Sequence, residues 1–156
     1  GEEVETFSTK DDRELLDKIL EERPTMIAFT SPTKRRTEKG FRDEEEDLVE
    51  EGHSFRPVDM FNKNLVERTE FIKNSILQEY EPVIIECRPR VTADILKIED
   101  DRSLENRGID TEKIDNYSEF EAVIAAITAK KYAKQQFKDK GFIVPKREPA
   151  VDPQDL

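Results

Sequence analysis

Pro24-Thr25-Met26-Ile27-Ala28-Phe29-Thr30-Ser31-Pro32 and Pro82-Val83-Ile84-Ile85-Glu86-Cys87-Arg88-Pro89 share one design, a short apolar run bracketed by prolines. A run without polar alternation predicts a strand covered on both faces, as in a parallel sheet. The two runs, Met26–Phe29 and Val83–Cys87, are therefore expected to lie side by side and parallel in an α/β fold. Upstream, Val4–Phe7 (VETF) reads as a further short strand, and Thr9-x-x-Asp12 resembles a capping box. The segment Asp11–Glu22, with Leu15, Leu16, Ile19 and Leu20 on one face, then reads as the helix that crosses over between strands, stopped by Pro24.

Residues 30–82 are too many for a plain loop in a compact domain. Within them, 33–60 form a charged insertion. Its first part carries Lys34, Arg35, Arg36, Lys39 and Arg42, and Asp43–Glu51 (DEEEDLVEE) holds seven acids among nine residues. That acidic stretch reads as a solvated helix ended by Gly52, with its acids at the favourable N-terminal end. The competing reading is a calcium or magnesium cluster, but the spacing departs from an EF-hand loop. A second helix is expected from Phe61 to Tyr80, with Leu65, Ile72, Ile76 and Tyr80 facing the core. After Pro89, VTADILK predicts a short helix, and a polar stretch follows with a turn at Arg107-Gly108. The strongest helix signal runs from Ser118 to Phe137, opened by the capping box Ser118-x-x-Glu121. Phe120, Val123, Ile124 and Ile127 form its apolar stripe, and Ala125, Ala126, Ala129 and Ala133 permit close approach to a sheet. Gly141 ends the segment, Phe142–Val144 reads as an edge strand, and 146–156 is a Pro-rich tail. Residues 1–145 thus form a single domain.

The chain has 156 residues, 26 Lys+Arg and 37 Asp+Glu, for a net charge of −11. Such a surface repels phosphate backbones, so general nucleic-acid coating is excluded, although local basic patches remain. A single Cys fits a reducing compartment. No apolar run is long enough for a membrane span, and the N-terminus has no signal-peptide core, so the expected setting is soluble and cytoplasmic. Abundant Lys and Glu with one Cys, two Met and no Trp lean towards a heat-adapted source. The chain opens on Gly rather than Met, which points to a piece of a longer protein.

Sites in open α/β sheets form outside the carboxyl ends of parallel strands, which selects Thr30-Ser31-Pro32 and Glu86-Cys87-Arg88-Pro89. A carboxylate in an apolar strand is costly unless paired or coordinated. Glu86 is accordingly either an ion-pair partner of Arg88, Arg90 or an insertion arginine, or a metal ligand or general base. Glu121 either closes the cap of its helix or serves as a second ligand. His53 is the only histidine, so His-based metal triads and Ser/His/Asp relays are nearly excluded. Cys87 reads as an inert buried thiol. No Walker loop or dinucleotide glycine fingerprint is present.

Taken together, IAFTSP, IIECRP and the helix EFEAVIAAITAKKYA followed by GFIVP resemble an uncharacterised prokaryotic family of predicted nucleases with an RNase H-like fold. The resemblance covers roughly residues 4 to 145. Members show an Ile-Asp-Ala-Pro strand end, a Glu-x-Tyr-Pro strand end and a final alanine-rich helix beginning Asp-Ala. Glu86 stands at the strand acid and Glu121 at the helix acid, one methylene longer. Thr30 stands where the family has Asp, and Arg88 replaces the Tyr. The family's first acid lies on an N-terminal strand that precedes the start of this chain. The resemblance implies a mixed sheet flanked by helices, lacking its first strands. It also implies phosphodiester hydrolysis with two Mg²⁺ or Mn²⁺ ions held by carboxylates.

The expected function is an RNase H-like domain with a weakened active site that binds nucleic acid or another phosphate-bearing ligand. Glu86 and Glu121 would be the catalytic and metal residues, with their carboxylates within bridging distance of one ion. Thr30, Ser31, Arg35, Arg36, Arg88 and Arg90 would line the substrate. Two alternatives stand beside it: an interaction domain whose acidic segment meets a basic protein partner, and an active nuclease once the missing strands are included.

Overall fold

The structure is a computed structural model that describes residues 3–34, 36 and 38–149. Arg35, expected at the substrate, lies outside the described residues, as does the end of the tail. Helix α1 (Asp12–Glu22) is capped by Asp11, whose side chain accepts from the Arg13 amide at 2.9 Å, and it ends at Arg23 in the left-handed region. Strand β1 (Met26–Phe29) pairs with β2 (Val83–Glu86) in parallel, with Met26 opposite Val83 and Phe29 opposite Glu86. The expectation from the two proline-bracketed runs is met.

The crossover between them is not Asp11–Glu22, which precedes both strands. It is made by α2 (Asp43–Glu50), a short 3-10 turn (Val58–Met60) and α3 (Lys63–Glu79). Val4–Phe7 forms no strand either. Only Val4 packs on the core, and Phe7 is exposed. The segment is held by side chains, with Thr6 donating to the Lys113 carbonyl and Ser8 to Glu119.

Downstream lie α4 (Pro89–Leu96), α5 (Asp101–Asn106) and α6 (Tyr117–Ala133), then a hairpin of β3 (Phe137–Asp139) and β4 (Ile143–Pro145). Gly141, at φ +86, supplies the left-handed residue of that turn, where a side chain would also meet Arg42 at 2.9 Å. One parallel bridge, Cys87 to Ile143, joins β2 to β4. The expected strand at Phe142–Val144 is β4, shifted by one residue and paired with β3 in a two-stranded sheet of its own.

Two apolar clusters hold the fold. Leu96, Ile98, Leu104, Ile109, Phe120, Val123 and Ile124 join α4, α5 and α6. Leu48, Val91, Phe142 and Val144 tie α2 and α4 to the hairpin. On α3 the buried stripe is Val66, Thr69, Ile72 and Ile76, and Leu65 is exposed, one position off the expected face. The start of α6 is displaced similarly. Asn116, not Ser118, is the cap and accepts from the Glu119 amide, while Glu119 accepts from the Asp115 amide at 3.0 Å. The capping acid is thus Glu119 rather than Glu121.

Candidate functional site

Because β2 and β4 meet at a single bridge, the two small sheets part on the near side of Cys87. The result is a groove of about 470 Å³ between β2 and the hairpin. Glu86 lies at its head, with Thr33, Lys73 of α3, Tyr132 of α6 and Phe137 and Asp139 of β3 around it. The Tyr132 and Phe137 rings are 4.5 Å apart and tilted by 37°. An ammonium, a pair of rings and two carboxylates thus face one open space.

Glu86 is firmly held. Its Oε1 accepts from the Thr33 amide at 2.8 Å and the Thr33 hydroxyl at 2.7 Å. Its Oε2 lies 3.8 Å from Arg88 Nη2. Behind it the Arg88 guanidinium is buried between the rings of Phe61 and Phe142, at 4.9 and 4.8 Å from their centroids. Burial pushes the Arg88 pKa down, opposed by the charges of Glu86, Cys87 and Glu45. Its Nη1 donates to the Cys87 carbonyl at 2.9 Å, whereas Nε and Nη2 have no hydrogen-bond partner.

Glu45, fully buried on α2 beside the core residue Leu48, sits in the same cluster. Its Oε1 accepts from the Arg42 amide at 3.0 Å, with Arg42 Nε at 3.1 Å and Arg36 Nη1 at 3.8 Å. Arg42 Nη1 also donates to the Gly141 carbonyl at 3.2 Å, which ties the insertion to the hairpin. His53 adds a second tie, its Nδ1 3.5 Å from Asp94 on α4 and its Nε2 3.6 Å from Glu51.

Of the other expected site residues that are described, none lines this groove. Thr30 is exposed and borders a different cavity, of about 600 Å³, between β1 and the helices α1, α3 and α6. The hydroxyl that reaches Glu86 belongs to Thr33. Ser31 is buried against the Thr69 hydroxyl at 2.7 Å, and Arg36 donates to the Gly40 carbonyl at 2.9 Å. Among the described residues, exposed Arg90 and half-buried Glu121 have no hydrogen bond or ion pair. Cys87 is within electrostatic reach of both candidate acids. Burial pushes its thiol up to about 12, and the charges of Glu86 and Glu121 add to the rise while Arg88 and the Thr128 hydroxyl oppose it. Such a thiol is no nucleophile.

The residues do not suit a two-ion centre. A metal at Glu86 would have to compete with both Thr33 donors and sit beside the Arg88 guanidinium. Among the described residues, no group of three or more His, Cys, Asp or Glu side chains is gathered for an ion. No family model, curated protein or solved structure matches this chain.

Lys73, Tyr132 and Phe137 were missed in the sequence. Lys73 lies among unremarkable charges on α3, and Tyr132 and Phe137 read as the tail of the final helix. The available signal was Gln135, which adopts the left-handed region and ends that helix early, but a glutamine there gives no warning.

Proposed function

We propose that this chain is a relative of RNase H-like metal-dependent nucleases that binds a short single-stranded segment of nucleic acid in the groove beside β2, without hydrolysing it. The observation that carries the reading is the convergence of Lys73 with the Tyr132–Phe137 ring pair on one open groove. Rings offer a stacking platform to any base, and an ammonium meets the phosphate that follows. Glu86, held in place by Thr33, and Asp139 would accept from base amino groups. The net charge of −11 favours a short contact over a long track, because flanking phosphates are repelled.

Hydrolysis is not part of the reading. Thr30 brings a neutral hydroxyl where an acid is expected, and Glu86 is engaged by hydrogen-bond donors. Two divalent ions side by side require several carboxylates to offset their repulsion. The test is incubation of labelled single-stranded DNA and RNA with the chain in Mn²⁺, read for both binding and cleavage. Retention without cleavage is expected. Cleavage abolished by Glu86→Gln would restore the nuclease.

A second reading rests on α2, which presents Asp43, Glu44, Glu46 and Asp47 to solvent, with only Asp47 paired among the described residues, to Lys140 at 3.1 Å. That face suits a basic protein partner. Charge reversal of Glu44 and Glu46 would abolish such an association and leave oligonucleotide binding in the groove intact.

A further inference from the structure

We propose a second, separate anion site in this molecule: a pocket of about 220 Å³ at the C-terminal end of α6 that takes a phosphate group, and that the chain's own Glu148 occupies in its place. Arg107, Lys130, Lys131 and Lys134 line it over a floor of Ile109 and Ile127. In a chain with a net charge of −11, this gathering of cations, two of them sharing Glu148, runs against the composition.

The charge of a helix C-terminus accounts for Lys130 and Lys131 in the last turn of α6. It does not account for Arg107, which arrives from the end of α5. The Arg107 Nη2 also donates to the Leu96 carbonyl at 3.4 Å, so the fork is set in place. Arg107 and Lys131 are 22% and 17% exposed, which leaves their mutual repulsion less screened than on an open surface. Glu148 relieves it by accepting from both, from Lys131 at 2.9 Å and from two Arg107 nitrogens. A planar guanidinium holding a carboxylate by two bonds offers the same fork to phosphate. Partial burial acts to raise the Glu148 pKa, but the hydrogen bonds from Arg107 and Lys131 outweigh it and leave the carboxyl below its ordinary range.

Glu148 is also built to leave. The Lys146 amide donates to the Gln136 carbonyl at 2.9 Å, and Glu148, two residues on, lies in no helix or strand. An incoming phosphate, with more charge and more acceptors, can displace the carboxylate without unfolding any helix or strand. This site rests on its own residues and stands whether or not the groove beside β2 binds nucleic acid.

The experiment follows the backbone amides of the full chain by NMR. Three probes are titrated: inorganic phosphate, a 5′-phosphorylated oligonucleotide and the same oligonucleotide without its phosphate. Shifts at Lys130, Lys131 and Lys134 are expected. Response to inorganic phosphate assigns free phosphate as a ligand, and response to the phosphorylated oligonucleotide alone assigns a nucleic-acid end. Equal response to both oligonucleotides assigns the diester backbone. Glu148→Gln should tighten binding by about threefold to fivefold, the size of one partly exposed charge. Arg107→Gln should weaken it by at least about tenfold, with amide shifts elsewhere unchanged. Absence of shifts at these three lysines with every probe, or affinity unaltered by Glu148→Gln, overturns the proposal.

Discussion

On one side of Glu86, towards α2 and α4, charges are buried against one another. Arg36, Arg42 and Arg88 gather around Glu45 and Glu86, and the Arg88 guanidinium lies between two rings. On the other side, Lys73, Tyr132 and Asp139 face an open groove. The two regions share one carboxylate and differ in what they do. The first side holds the molecule together, because Glu45 and Arg88 have been taken out of water and depend on the half-buried Arg36, Arg42 and Glu86. Groups along the groove are solvated and free to exchange water for a ligand.

The largest expected effect is on the buried side. Glu45→Ala removes the carboxylate that Arg42 and Arg36 share and should cost about 3–5 kcal/mol in stability, measured by urea denaturation. A loss below about 1 kcal/mol would mean the arginines find water instead, and the contrast between the two regions would fail. Next in size is the cap of α6. Asn116→Ala should cost about 0.5–2 kcal/mol. Ser118→Ala and Glu121→Ala should each stay within about 0.5 kcal/mol, since neither side chain makes a hydrogen bond among the described residues. A cap loss at Ser118 would move the start of the helix and with it the position of Glu121.

The smallest effect concerns pH. The Ser8 hydroxyl and the Asp115 amide hold the Glu119 carboxyl below its ordinary value. A carboxyl lowered in the fold contributes stability that is fully present above its unfolded pKa, about 4.3, and is lost as pH falls through the folded value. Melting temperatures across acid pH should therefore fall less steeply in Glu119→Gln than in the parent chain. Equal slopes would show that Glu119 takes no part.

Part of this arrangement was legible in the sequence. The prolines around Met26–Phe29 and Val83–Cys87 set the strand limits, and the lack of polar alternation indicated parallel pairing. The ion-pair reading of Glu86 with Arg88 was also available, because an acid in an apolar strand must be matched. The cap was not legible. Asn116-x-x-Glu119 and Ser118-x-x-Glu121 fit the same pattern two residues apart, and only the position of Ser8, over a hundred residues away in sequence, distinguishes them. The burial of Glu45 was hidden for a related reason. In DEEEDLVEE the acids look alike, and the one facing inward is chosen by Arg42 and Arg36. The groove was hidden too, since it arises where β2 and β4 part rather than from any local motif.

The central claim is that the groove beside β2, with Lys73 and the Tyr132–Phe137 pair, is the binding surface. Fluorescence anisotropy of a short labelled single-stranded oligonucleotide, titrated with the parent chain, Lys73→Ala and Tyr132→Ala, tests it most directly. The account predicts that Tyr132→Ala weakens binding by about 5- to 150-fold, the range of one base stack at about 1–3 kcal/mol. Lys73→Ala should weaken it too and reduce its dependence on salt, with both variants folded as the parent. Binding of undiminished strength in both variants would contradict the account.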